Sequence, residues 1–144
     1  MPPPTALVVF TDQHEVAWLR RLRPGFRHCF VVARDPAGEW VACDWLKGRF
    51  VFRVYGPQDP DALIARFVAR GLGVVAVSRP PRPQRRPWLR PLSCVEVVKQ
   101  TLGWPGWGPW TPFGLCVALG AAGIPAYGIE ACYPNQLNDV GATA

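Results

Sequence analysis

A cysteine placed directly after a helix-capping residue can be held as thiolate, and Leu92-Ser93-Cys94-Val95-Glu96 has that pattern. Ser93 followed three residues later by Glu96 is the S-x-x-E signature of a capping box, which makes Cys94 the first helical residue. There it lies among unpaired backbone N–H groups at the positive end of the helix dipole. That setting lowers a thiol pKa, and the same N–H groups can hold the oxyanion formed when a thiolate attacks a carbonyl. The alternative is a helix-start cysteine that follows a cap and only packs.

A nucleophilic thiol needs a base, and the chain has two histidines, His14 and His28. His28 lies within a strand-like run between Phe26 and Phe30, so it is either a base facing a cleft or a core residue with one hydrogen bond. His14 falls near a helix start, where a solvent-facing ring is expected, which makes His28 the preferred base. A third group commonly orients the imidazole. Asp44, in Val41-Ala42-Cys43-Asp44-Trp45, is a charge in an otherwise apolar strand. If Asp35–Gly38 is a hairpin turn, Asp44 lies toward the same end of the hairpin as His28. It can equally be an edge-strand carboxylate paired with an arginine.

Two further segments carry binding chemistry. Residues 79–91 hold Arg79, Arg82, Arg85, Arg86 and Arg90 with five prolines and Trp88. Arginines neutralise phosphates and an indole stacks on a base, so nucleic acid is a possible ligand. A solvated, extended connector is the preferred reading, because proline stiffens the stretch and no recognisable nucleic-acid module accompanies it. The loop from Trp104 to Trp110, with Trp107 between them, can line a cleft, cover the core or dock a protein partner.

The elements that must position these residues follow from turn and cap signals. Ala6–Phe10 reads as a buried strand, and Thr11-Asp12 with Glu15 caps a helix over Glu15–Leu22 that stops at Pro24-Gly25. Phe26–Ala33, Glu39–Leu46 and Arg49–Tyr55 are separated by Asp35-Pro36-Ala37-Gly38 and Lys47-Gly48, which predicts an antiparallel meander. Asp59-Pro60 opens a helix to about Arg70, and Leu72–Val77 is a valine-rich strand. The cysteine helix spans Ser93–Leu102, with Val95, Val98 and Leu102 on its buried face. Thr111-Pro112 starts another helix to about Ala122, and from Ile124 the pattern dissolves. The expected fold class is α+β, an antiparallel meander sheet with flanking helices. One domain over 1–130 is expected, with the connector at 79–91 inside it and an extended polar tail over 131–144.

Composition bounds the function classes. The 144 residues are single-domain length, and 49% hydrophobic residues with seven Trp can fill a core. No basic leader or membrane-length apolar run is present, so a soluble protein is expected, with no membrane partner. Five cysteines (Cys29, Cys43, Cys94, Cys116, Cys132) form no C-x-x-C pair, and no His pair has ligand spacing. No metal and no cofactor are expected, and the thiols suit a reducing compartment. The net charge of +6 rests on fourteen Arg against two Lys, a bias that with abundant Ala, Pro and Gly points to a GC-rich bacterial or phage genome.

Phe26-Arg27-His28-Cys29-Phe30 preceding Leu92-Ser93-Cys94-Val95-Glu96 resembles the circularly permuted papain-like group related to the NlpC/P60 cysteine peptidases. In the unpermuted enzymes the cysteine helix comes before the histidine strand. The resemblance covers roughly Phe26 to Leu102. It implies a permuted papain-like fold and a Cys–His site completed by a polar residue from the next strand, hence Cys94, His28 and Asp44. The function implied is a thiol hydrolase or transferase acting on a peptide, amide or thioester. The chain also resembles, in general style, small proteins of tailed phages and prophage modules. That implies a structural component of a phage particle or similar assembly, with protein partners met through the Trp104–Trp110 loop and the C-terminal tail. The corresponding location is the bacterial cytoplasm or the virion.

Overall fold

The computed structural model describes residues 2–13, 21–78, 93–104 and 108–129. The expected helix over Glu15–Leu22 (but for its last two residues), the connector at 79–91, Trp107 and the tail at 131–144 lie outside the described residues.

Six strands form one sheet: β1 (Ala6–Thr11), β2 (His28–Arg34), β3 (Trp40–Leu46), β4 (Arg49–Gly56), β5 (Gly73–Val77) and β6 (Ala126–Tyr127). Their order is β4-β3-β2-β1-β5-β6, and each neighbouring pair is antiparallel. Among the described residues the helices are α1 (Pro60–Ala69), α2 (Cys94–Leu102) and α3 (Pro112–Ala121). The chain is therefore α+β, and β2-β3-β4 is the meander that its turn residues predict. Lys47 and Gly48 both take positive φ, 47° and 76°, as a tight turn matched to strand twist requires. At the other hairpin, Asp35 Oδ1 accepts from the Glu39 backbone N–H at 2.9 Å.

Strand alternation sorts the core into two layers. Leu7, Val9, Phe30, Val32, Trp40, Ala42, Val74 and Ala76 pack against Leu63, Ile64 and Phe67 of α1. The opposite face puts Ala6, Val8, Phe10, Cys29, Val31, Val75 and Val77 against Val95 and Val98 of α2 and Leu115, Cys116 and Leu119 of α3. The central strand β1 is buried along its whole length, so it reads as continuous apolar sequence rather than as alternation.

The helix starts follow their caps. Asp59 accepts from Ala62 N–H, Ser93 from Glu96 N–H and Thr111 from Gly114 N–H, each by its side chain. α2 ends at Gly103, whose φ of 63° is the left-handed conformation that glycine adopts without strain.

Past Ile124, where the sequence pattern dissolves, the chain adds the short strand β6. Tyr127 pairs with Val74 and Ala126 with Val75. A two-residue strand has no periodicity to detect, and backbone hydrogen bonds hold it, including Ala76 N–H to Pro125 O at 2.9 Å. Its close approach depends on Gly73, where a Cβ would strike the Ile129 side chain.

Candidate active site

The site is built at a fork in the sheet. β2 begins at His28 and β3 runs on to Leu46, but their paired residues start only at Val31 and Cys43. Three residues of β2, His28-Cys29-Phe30, therefore face Asp44-Trp45-Leu46 without a ladder between them. By strand parity His28 and Asp44 share one face, and Cys29 and Cys43 the other.

His28 and Asp44 meet across this fork. His28 Nε2 lies 2.6 Å from Asp44 Oδ1, and both side chains are buried. The distance is that of a charge-assisted hydrogen bond. It engages one ring nitrogen and leaves Nδ1 as the other. Asp44 Oδ2 also lies 3.7 Å from Arg53 Nη1 of β4, so the carboxylate has an arginine neighbour as well as its histidine. On the β1 side, Arg27 Nη1 binds both carboxylate oxygens of Asp12 at 2.9 Å, and Arg27 N–H donates to Thr11 O, which secures the chain entering β2.

Cys94 is the first residue of α2, half-buried, with Ser93 in extended conformation as the cap. The influences that favour its thiolate are hydrogen bonding from the Cys29 thiol, from His28 and from the Cys29 backbone, and the positive charge of His28. These donors outweigh burial and bring the Cys94 thiol from 9.0 down to about 5, the Cys29 thiol being the largest cause.

The partners shift in the opposite direction. Burial disfavours a charged His28 ring, yet hydrogen bonds to Asp44 and Cys94 and their charges overcome it and raise the ring from 6.5 to about 9. Burial pushes the Cys29 thiol well above its usual 9.0, so Cys29 stays protonated and donating. Cys43 is also raised by burial, then by the Asp44 charge. Between about 5 and about 9 the pair is a thiolate and an imidazolium. An ion pair of this kind is the resting form of an activated thiol nucleophile.

The fork thus brings Cys94, His28 and Asp44 into one continuous chain of interactions. Sequence reasoning missed Cys29. It adjoins His28 in the chain, but strand alternation places it on the face that α2 covers. It also missed the buried pair on α2, where Lys99 Nζ lies 2.9 Å from Glu96 Oε2 and both side chains are almost wholly enclosed. Lys99 Nζ further donates to Pro109 O at 3.1 Å and sits 4.8 Å from the Trp110 ring centroid. This anchors the start of α3 to the cysteine helix. Of the tryptophan loop, Trp104 packs against the core and donates to Gly108 O, while Trp110 is exposed.

Among the described residues, no group of three His, Cys, Asp or Glu side chains is placed to hold a metal ion, and no helix is long and apolar enough to cross a membrane. Comparison with family models, curated proteins and solved structures finds no match.

Proposed function

We propose that this chain is a papain-like cysteine hydrolase domain in permuted order, acting on a peptide, amide or thioester carbonyl through Cys94, His28 and Asp44. The observation that carries the reading is a buried imidazole whose Nε2 is held 2.6 Å from the buried Asp44 carboxylate, with a serine-capped helix opening at Cys94, whose thiol pKa His28 helps to lower.

In this reading the Cys94 thiolate attacks the carbonyl carbon. The oxyanion takes N–H groups of the first turn of α2 other than that of Glu96, which Ser93 Oγ already accepts. The His28 imidazolium protonates the leaving amine or thiol, and Cys94 is left acylated. His28, now neutral, removes a proton from water as it attacks the thioester, and the acid departs. Asp44 fixes the ring orientation and favours its charged form. Incubation with activated aryl esters and peptide thioesters, followed by intact-mass measurement, tests the proposal. An acyl adduct on Cys94 that is lost in Cys94→Ala and accumulates in His28→Ala is expected. An unacylated Cys94 across ester, thioester and amide probes, despite rapid alkylation, would overturn it.

A second reading rests on β4. Phe50, Phe52 and Val54 share one face of this edge strand and are 49%, 66% and 68% exposed. Phe50 also stacks with Phe52 and meets Trp45 edge-on. An apolar edge strand is a ready template for another strand, which suits a component of a phage particle or similar assembly. Its basic neighbours Arg49 and Arg53 fit an acidic, apolar partner segment. Cross-linking from β4 within the assembled particle tests this, and capture of a neighbouring subunit's strand is the expected result. Absence of the chain from purified particles would overturn it.

A further inference from the structure

The rest of the sheet fixes which backbone groups of β4 face outward. Arg34 N–H donates to Thr5 O at 2.9 Å, so the even-numbered residues of β2 bond to β1 and the odd-numbered ones to β3. Asp35 N–H, which donates to Glu39 O at 2.8 Å, keeps the same phase. Carried through Val31–Cys43 and Cys43–Phe52, this phase gives Arg49, Val51 and Arg53 to β3. The N–H and C=O groups of Phe50, Phe52 and Val54 therefore point away from the sheet. Among the described residues no strand pairs with β4 on that side. Natural edges are blunted by proline or by a bulge, and neither interrupts Arg49–Val54.

We propose that a second copy of this chain occupies this edge. The two β4 strands pair antiparallel about a two-fold axis at Phe52 and join their sheets into one. The proposal shares β4 with the assembly reading but concerns the isolated protein, so it does not need a particle.

Charge and hydrogen-bond phase select this register. With the axis at Phe52, Phe52 faces Phe52 of the second copy and Phe50 faces Val54. The outward groups of these three residues then bond reciprocally, and on the other face Val51 lies opposite Arg53. An axis at Val51 would set Arg49 against Arg53, and an axis at Arg53 would set that residue against itself. Like charges directly opposite one another are destabilising. An axis at Phe50 would run the pairing into the Lys47-Gly48 turn, and one at Val54 would run it out at Gly56, where β4 ends. Arg53 also has Asp44 Oδ2 of its own chain 3.7 Å away, so a second copy need not bring an acid to it. A two-fold pairing is closed, because it consumes the free β4 edge of both copies.

Sedimentation of the full chain at rising concentration should show a species of twice the 15.9 kDa monomer mass. Each copy carries a net charge of +6, so salt should screen the repulsion and tighten the dimer severalfold. An edge that takes an acidic segment would release it under the same change. Phe52→Cys and Val54→Cys read the axis, each combined with Cys43→Ser because Cys43 pairs in register with Phe52. Opposed residues of a hydrogen-bonded antiparallel pair have Cα atoms about 5.5 Å apart, within disulfide reach. Under mild oxidation Phe52→Cys should link two copies at least about tenfold faster than Val54→Cys, whose sulfurs the axis holds beyond that reach. Val54→Cys should instead link to Phe50→Cys when the two are mixed. If a variant does not fold, hydrogen exchange of the native chain decides. The Phe50, Phe52 and Val54 amides should then slow as concentration rises, while those of Val51 and Arg53 do not change. A chain that stays monomeric at millimolar concentration, a dimer that salt dissociates, or Val54→Cys linking as fast as Phe52→Cys would overturn the proposal. Absence of the chain from purified particles would remove the assembly reading and leave the dimer standing.

Discussion

His28 Nε2 and Asp44 Oδ1 lie 2.6 Å apart across the point where β2 and β3 stop pairing. The contact depends on the fork, because a continued ladder would set Phe30, not His28, opposite Asp44. The interrupted pairing gives the imidazole room to turn and a buried carboxylate to turn toward.

Asp44→Asn tests this contact. The amide keeps a hydrogen-bonding oxygen but removes the charge that holds the ring protonated, so the His28 pKa should fall. A less basic ring stabilises the thiolate less, so the Cys94 pKa should rise. Iodoacetamide labelling of Cys94 in mildly acid solution should slow by about tenfold, the equivalent of about one pKa unit. Unchanged labelling would show that Asp44 does not act through the ring.

The pH profile has two limbs of defined sign. Cys94 has a depressed pKa, so the thiolate is present above about 5 and is lost as pH falls through that value. His28 has a raised pKa, so the imidazolium is present below about 9 and is lost as pH rises through it. Thiolate absorbance near 240 nm should rise through the lower limb. Acyl transfer, which needs both charged forms, should be bell-shaped between the two. Cys29→Ala removes the largest of the influences that lower the Cys94 pKa and should move the lower limb upward.

How much of this was legible in the sequence depended on the range of the signal. The Ser93 cap and the Asp35–Gly38 and Lys47-Gly48 turns are local, and they located the cysteine helix and the meander to within a residue or two. His28 and Asp44 could be named because a hairpin sets its strands' relative ends. The fork could not be read, because no residue type marks where two apolar strands part. Cys29 accordingly looked like any small core residue. Lys99 fell on a helix whose buried face reads as Val95, Val98 and Leu102, and the Pro109 carbonyl and Trp110 ring that meet it belong to a different segment.

That contact predicts a stability effect separate from the chemistry. Lys99→Met removes the cation 2.9 Å from the buried Glu96 carboxylate and the donor to Pro109 O, so denaturant unfolding should show a loss of about 3–5 kcal/mol. Glu96→Leu combined with Lys99→Met removes both charges and should recover most of that loss. A single variant as stable as the native chain would mean that water reaches the pair.

The exposed face of β4 gives a test of opposite sign. Phe52 is 66% exposed and pairs in register with Cys43, so in the isolated chain its ring contributes little burial. Replacing an exposed aromatic with lysine away from other charges normally changes stability by less than about 0.5 kcal/mol. Arg53 and Arg49 lie on the opposite face of the strand by alternation, so the added charge of Phe52→Lys does not stack on theirs. The variant should unfold at nearly the native denaturant concentration, label at Cys94 at the native rate, and self-associate less, because lysine on an edge strand discourages pairing with another edge. A loss of several kcal/mol would instead mean that another part of the same chain covers Phe52, and the assembly reading would lose the observation it stands on.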